Sequence, residues 1–448
     1  MSLDRLTIII LAAGKGTRMK SPLPKVVHPV AGEPMIRRIA RISKGIEDAE
    51  VRIVVGFGRA LVEQIVEPLG ATCVVQEKQA GTADAVRVAC EAGIEGTVMI
   101  LNGDHPLIEA HHLYSFLNEY KREEADVAVI TCELPEPGQF GRIVRDKWES
   151  LQAIVEAKDA TPQTLEIKEV NTGIYVLSAD AIREFLPQIT SLNNQNEYYL
   201  TDIIQLAKQA GKKVIGIKSD ADVAYGVNSQ MELSKANKLI FRKKVEELLD
   251  DGVVIIDPDT TYVEPDVEIG SATVLYPGNY IRGNTKIGSF CVIEPNCMII
   301  DSEIHNEVQI KSGSYIEKSE VQSKSSIGPY AHLRPKTKIG EECKVGNFVE
   351  MKNTTFANKA KAAHLTYLGD AEVGEETNIG CGTITCNYRE DKKKYQTKIG
   401  KGVFVGSDTQ FVAPVEIGDG AIIGSGSTIT KNVPADALAV ARGRQFIK

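Results

Sequence analysis

The sequence predicts an α/β domain on a parallel sheet, then one linking helix, then a parallel β-helix of hexapeptide repeats. Three observations predict it. In the first half, short β-rich runs alternate with helical periods. In the second half, an apolar residue recurs every six positions and is often followed by Gly. Between them, Gln230–Asp250 carries Leu233, Leu239, Ile240, Val245 and Leu248 on one side and stops at Gly252. The organisation implied is a first domain over 1–228, a linker helix over 229–251 and a repeat domain over 252–448.

Thr7–Leu11, Arg52–Val55, Thr72–Val75 and Val98–Leu101 read as buried strands, with helices over Met35–Ile46, Leu61–Leu69 and Thr82–Ala92. Such alternation gives a parallel sheet covered on both faces, whose ligands sit at the carboxyl ends of the strands. Two loops lie there. Leu11-Ala12-Ala13-Gly14-Lys15-Gly16-Thr17-Arg18-Met19 is neither a P-loop nor G-x-G-x-x-G, because Met19 replaces the third Gly. Its small residues let backbone N–H groups approach a phosphate, and Lys15, Arg18 and the nearby Lys25 add charge. After the fourth strand, Asn102-Gly103-Asp104 offers a carboxylate suited to Mg²⁺. Taken singly, the first loop also fits an ordinary strand–helix turn with solvated lysines, and Asp104 an ordinary turn residue.

The repeat runs from Ile269 through Leu275, Ile281, Ile287, Ile293 and Ile299, takes a step of five to Ile304, and continues with occasional steps of five to Ile379. It resumes at Ile399 and ends at Ile429, and every position counted is apolar. Three hexapeptides make one triangular coil, and the inward residues of successive coils stack at the strand spacing of about 4.8 Å. Roughly nine coils give a prism of the order of 40 Å. The polar interruption Gly380–Lys398, with Asp391-Lys392-Lys393-Lys394, reads as an extruded loop.

A net charge of −8 argues against a nucleic-acid binder held by phosphate contacts, though not against a local basic pocket. No apolar run approaches the ~18 to 20 residues of a membrane span, and Leu6–Ala13 is too short for a signal sequence. Eight scattered cysteines without a Cys-x-x-Cys pair disfavour a disulfide framework or structural zinc and fit a reducing cytoplasm.

Arg334 and Lys352 each follow an inward position one coil apart. They are expected to project from one side of the prism, and two stacked cations repel unless an anion lies between them. His364 sits in the dense motif His364-Leu365-Thr366-Tyr367-Leu368-Gly369-Asp370. A lone His is more often structural. These cations beside it favour a site for a sugar phosphate over a solvated basic stripe.

These pieces resemble the sugar-phosphate nucleotidyltransferases. With Pro24-Lys25-Val26, Gly141-Arg142-Ile143, Val155-Glu156, Asn171-Thr172-Gly173, Gly226-Val227-Asn228 and Gly346–Lys352, the full set resembles the bacterial bifunctional uridyltransferase–acetyltransferases of UDP-N-acetylglucosamine synthesis. The resemblance covers nearly the whole chain. It implies a Rossmann-like nucleotidyltransferase domain followed by a left-handed β-helix, the β-helix acetylating glucosamine 1-phosphate from acetyl-CoA. The first domain would then transfer uridylyl from UTP to N-acetylglucosamine 1-phosphate. It also implies a cytoplasmic homotrimer with small-molecule substrates and no nucleic-acid or membrane partner.

The same resemblance implies the site residues. Leu11, Ala12, Ala13 and Gly14 would line the uridine nucleotide, with Gln76, Gly81 and Thr82 near the uracil. Lys25 would contact phosphate and Arg18 would help neutralise the triphosphate. Asp104 and Asn228 would hold Mg²⁺. Gly141, Glu156 and Asn171 would bind the N-acetylglucosamine part, and Asn102 stands where relatives usually have Tyr. In the β-helix, His364 would be the general base, with Arg334, Lys352, Tyr367 and Asn378 on the sugar phosphate. Cys381, Asn387, Tyr388, Ser407, Ser425 and Arg442 would line acetyl-CoA. Glu350, close by in the motif, is our own candidate for orienting His364. Relatives often carry a Trp in a longer basic tail near the acetyl site. Trp148 is the only Trp here, so weaker acetyl-CoA binding is expected.

Two rival readings follow from the same residues. One keeps the nucleotidyltransferase and makes the β-helix regulatory, as in glucose-1-phosphate adenylyltransferases. The other is a non-catalytic assembly protein. CoA binding separates the first from the reading above, and Mg²⁺-dependent UTP binding separates the second.

Overall fold

The computed structural model describes residues 5–193 and 195–447. The chain divides into two compact units, Met1–Lys238 and Leu239–Lys448, at a point inside the helix Gln230–Asp250. No helix among the described residues is long and apolar enough to cross a membrane.

The first unit is built on β1 (Leu6–Ala12), β2 (Ala49–Val55), β3 (Thr72–Val75), β4 (Thr97–Asn102), β5 (Val127–Glu133), β6 (Arg142–Arg145), β7 (Leu151–Val155), β8 (Glu169–Ser178) and β9 (Val214–Lys218). The main sheet runs β9-β5-β8-β4-β1-β2-β3, and β6 bridges β8 and β7. β1 pairs in parallel with β2 and β4, and β2 with β3, as the alternation requires. The sheet is not parallel throughout, however: β8 runs antiparallel to both β4 and β5. An antiparallel strand needs no crossover helix, so strand–helix alternation does not announce it. Side chains alternate across β1, Ile8 and Ile10 entering one core and Ile9 the other.

Helix α1 spans Met35–Lys44 and α3 spans Thr82–Cys90. Helix α2 starts at Arg59, earlier than the sequence suggests, and ends at Val66, where a 3-10 turn Glu67–Leu69 takes over. Pro68 lacks the N–H that another α turn requires.

The second unit is a parallel β-helix. One sheet of 19 strands wraps two faces and a sheet of nine strands makes the third. The register is unbroken along a face: Ile281 stacks on Ile299, then Ile316, Leu333, Met351 and Leu368. All are buried. The first coil would leave its apolar end open, but Val245 and Leu248 of the linker helix join Val253, Ile255 and Val263 over it. Phe241 meets Tyr262 and Tyr280 edge-on.

The interruption is shorter than the apolar pattern suggests. The repeat continues one step beyond Ile379 at Thr385, which is buried and stacks on Phe411. A Thr is tolerated inside because its hydroxyl accepts from Gly369 N–H at 2.7 Å and donates to the Gly369 carbonyl at 3.0 Å. The extruded segment is 387–396, closed by Tyr395 N–H on the Asn387 carbonyl and by a bridge between Tyr388 and Lys394.

Candidate active sites

In the first unit, a cavity of about 360 Å³ opens at the carboxyl ends of β1 and β4. Leu11, Ala12, Ala13 and Gly14 line one side, Gln76, Gly81 and Thr82 another, and Lys25, Asn102 and Asp104 its floor. A Cβ on Gly14 would meet nothing within 4 Å, so its backbone is open to a ligand. Gly16 has φ +68°, and its missing Cβ lets the Lys25 stem lie against the loop.

Lys25 ties the floor together. Its ammonium pairs with Asp104 Oδ2 and donates to Asn228 Oδ1 at 2.9 Å. Asn228 comes from 124 residues further on in sequence than Asp104, and it arrives because Val227 N–H donates to the Asp104 carbonyl at 2.9 Å. Burial pushes the Asp104 carboxyl up, but the Lys25 ammonium and His105 beside it outweigh that and hold it below its usual value. Two hard oxygens, one ionised, converge here on one cation, with Lys25 standing in for it. That donor set fits Mg²⁺, which takes few protein ligands and keeps waters. Among the described residues, no three His, Cys, Asp or Glu side chains form a metal cluster.

Gly141, Glu156 and Asn171 are brought together beside the cavity. Asn171 N–H donates to the Gly141 carbonyl at 2.9 Å, and a Cβ on Gly141 would press on Ile154 and come within 3.4 Å of the Glu156 carboxylate. Asn102 reaches this group, donating to the Gly173 carbonyl at 3.4 Å. Burial first, then Asp159 and Asp202, raise the Glu156 carboxyl. Arg18 is exposed and makes no ion pair with a described residue.

The second unit gathers its residues along one edge. Asn347 pairs with His364 in register, each two places after an inward residue. Cys381, Ser407 and Ser425 hold the same place on the next coils, where Asp408 N–H donates to the Cys381 carbonyl, Gly426 N–H to the Ser407 carbonyl and Arg442 Nη1 to the Ser425 carbonyl. His364, Ser407 and Ser425 are exposed. Gly380 and Gly406 back this edge, where a Cβ would collide with the next coil's backbone.

His364 Nδ1 lies 2.7 Å from Asn347 Oδ1. Glu350 does not orient it: its carboxylate takes Arg334 Nη1 at 2.7 Å. The reason is the corner, since Asn347 shares the His364 register whereas Glu350 lies past the turn, level with Tyr367. Arg334 and Lys352 do stack one coil apart, and a third cation joins them. Lys394 from the extruded segment, then Arg334, hold the Lys352 ammonium below its usual value. Tyr367 and Asn387 crowd Gly369 nearby, and Asn387 donates to Asp370 at 2.6 Å. Asn378 lies in register with Lys361 and Phe404.

Sequence reading missed Asn347 and Lys394. Asn347 has a signal, since it stands two after Val345 as His364 stands two after Ala362. Lys394 has none within the repeat, because it lies on the insertion.

Comparison with known proteins agrees with this architecture. Residues 8–166 match the MobA-like NTP transferase domain, and residues 396–431 match the bacterial transferase hexapeptide (six repeats). A protein of Bdellovibrio bacteriovorus named Bifunctional protein GlmU is 61% identical, over 99% of this chain and 96% of its own length. One of the same name from Carboxydothermus hydrogenoformans is 46% identical over 98% of each chain. The chain belongs to the bifunctional GlmU family. It is a bifunctional uridyltransferase and acetyltransferase, with a nucleotidyltransferase domain followed by a hexapeptide-repeat β-helix. A third GlmU relative, from Pelobacter propionicus, is 42% identical over 99% of this chain and 97% of its own.

Proposed function

We propose that residues 252–448 acetylate glucosamine 1-phosphate from acetyl-CoA, and that residues 1–228, joined by the linker 229–251, then transfer uridylyl from UTP to the product. The observation that carries the first site is the convergence of Asp104 and Asn228 on one cation at the cavity floor.

In uridylyl transfer, a phosphate oxygen of the sugar 1-phosphate attacks the α-phosphorus of UTP in line and pyrophosphate leaves. The nucleophile is already ionised, so no general base is required. Leu11–Gly14 and Gln76, Gly81 and Thr82 hold the nucleotide, and Gly141, Glu156 and Asn171 hold the sugar. Lys25 and Arg18 neutralise phosphate charge. Asp104 and Asn228 would hold Mg²⁺, which supplies charge neutralisation on the phosphates.

In acetyl transfer, His364 takes a proton from the amine as its nitrogen forms a bond to the thioester carbonyl carbon; the C–S bond breaks and CoA leaves. Asn347 fixes one ring nitrogen, which leaves the other for the amine. Arg334, Lys352 and Lys394 hold the sugar phosphate with Tyr367 and Asn378. The edge of Cys381, Ser407, Ser425 and Arg442, with Asn387 and Tyr388, takes acetyl-CoA. The chain works as a homotrimer in the cytoplasm. The exposed ladder Phe404, Ile422 and Leu438, stacked coil on coil, supports association with further copies.

The test is a paired assay of wild type and His364→Ala. Each receives glucosamine 1-phosphate with acetyl-CoA, and separately N-acetylglucosamine 1-phosphate with UTP and Mg²⁺. CoA release is expected to fall by about 10²- to 10⁴-fold with pyrophosphate release intact. No CoA release from wild type would make the β-helix regulatory.

A further inference from the structure

The inference concerns Asp84, a residue at the mouth of α3 that the reaction itself does not require. Gln76 lines the cavity and is 4% exposed. A glutamine amide presents an acceptor at one end and donors at the other, and only its partners decide which end faces a ligand. Here the partners are unambiguous. The Gln76 side chain lies 2.8 Å from Asp84 Oδ2 and 3.2 Å from the Gly81 carbonyl. Both neighbours are acceptors, so both must be met by the amide N–H₂. That consumes the donors of Gln76 and leaves Oε1 as the atom it offers the cavity.

The Asp84 carboxylate is fixed in turn. It is a first-turn residue of α3, where a negative charge is favoured, and its other oxygen is held by Arg87 one turn on. Its side chain is 12% exposed. A carboxylate with its other oxygen on the Arg87 guanidinium offers Gln76 only an acceptor, so the amide cannot turn over without setting its oxygen against another oxygen.

We propose that Asp84 is a positioning residue for nucleotide choice: by locking Gln76 with its oxygen toward the cavity, it admits a base that offers an N–H at that point and disfavours one that offers a lone pair. Uracil carries N–H at ring position 3, and cytosine carries a bare nitrogen there. Cytosine in the same pose would set lone pair against lone pair. This rests on the reading of the cavity as the nucleotide site.

The experiment compares kcat/KM for UTP and CTP in wild type, Asp84→Asn, Asp84→Ala and Gln76→Ala, by pyrophosphate release. An Asn at 84 keeps the shape but can donate, which leaves only the longer contact to the Gly81 carbonyl, at 3.2 Å, to hold the Gln76 amide in one orientation. The UTP-over-CTP ratio is expected to fall by about tenfold in Asp84→Asn, with CTP turnover rising, and to fall in the same direction in Asp84→Ala. A merely structural role lowers both nucleotides alike, so an unchanged ratio in both Asp84 variants overturns the proposal whatever happens to the rates. Failure of the underlying reading looks different. If Gln76→Ala leaves kcat/KM for both nucleotides at the wild-type value, the cavity does not read the base, and the role of Asp84 falls with it.

Discussion

The two units solve the same problem in opposite ways. Both must collect charge for a sugar phosphate, but the first does so in a cavity and the second on an edge. The floor of the first is half-buried, and its members come from residues as far apart as Lys25 and Asn228. The edge of the second is exposed, and its members recur at one register position of successive coils. In the first unit burial raises the Glu156 carboxyl, whereas at Asp104 the Lys25 ammonium and His105 outweigh burial and hold the carboxyl down. On the edge, it is the crowding of Lys352, Lys394 and Arg334 that shifts a charge. Electrostatics here follow how each scaffold brings residues together: long-range crossings desolvate, while stacking leaves groups wet and close.

The strongest way to break the comparison is Asp104→Ala. It removes the ionised partner of the cation at the cavity floor, and uridylyl transfer is expected to fall by 10²-fold or more, of the order of about 3 kcal/mol. Acetyl transfer by the same protein should hold, because the edge is built within the other compact unit. Parallel loss of CoA release would show that the two sites are not independent.

Next comes Lys394→Ala on the edge. It removes the cation that most strongly perturbs Lys352 while leaving the coils untouched. KM for glucosamine 1-phosphate should rise about tenfold with kcat little changed, and the rise should shrink at high salt. A fall in kcat alone would place Lys394 outside phosphate binding.

Thr385→Val tests whether the prism tolerates an apolar residue at the one inward position where the pattern breaks. The Gly369 N–H would lose its acceptor, so unfolding should become easier by about 1–3 kcal/mol, read from denaturant midpoints. Equal or greater stability would mean that the hydroxyl is dispensable.

The smallest effect sharpens the pH contrast. Burial and then Asp159 and Asp202 raise Glu156, so its folded form prefers the proton. Its contribution to stability is present below the ordinary glutamate pKa of about 4.3 and is lost as pH rises through its raised folded value. Glu156→Gln should therefore stabilise the first unit at pH 7, with the gain vanishing below pH of about 4. Asp104 runs the other way: its folded pKa is lowered, so its contribution is present above about 3.9 and is lost as pH falls through the folded value. Thermal midpoints of Glu156→Gln against wild type across that range decide the sign.

Much of the second unit was legible because a β-helix is nearly one-dimensional. Each coil touches its neighbours, so spacing along the chain becomes position in space, and Arg334 and Lys352 fall one above the other by counting. Counting failed where the chain left the repeat. Thr385 hid an inward position, Lys394 stood on the insertion, and proximity in the motif suggested Glu350 where the corner delivered Asn347. In the first unit the first four strands, α1, α3 and the loop Leu11–Met19 were readable from periodicity and small residues. The five strands after them, the antiparallel Glu169–Ser178 among them, were not.

The sequence by itself determined the period, the two scaffolds and the residue types for phosphate and amine chemistry, because these are local or repeat along the chain. Tertiary structure alone decided that Asn228 meets Asp104 across a backbone hydrogen bond, that Asp84 turns the Gln76 amide, and that Lys394 folds back onto Lys352. Those choices depend on contacts between distant segments, where hydrogen-bond geometry and charge act over a few ångströms of space that no spacing in sequence encodes.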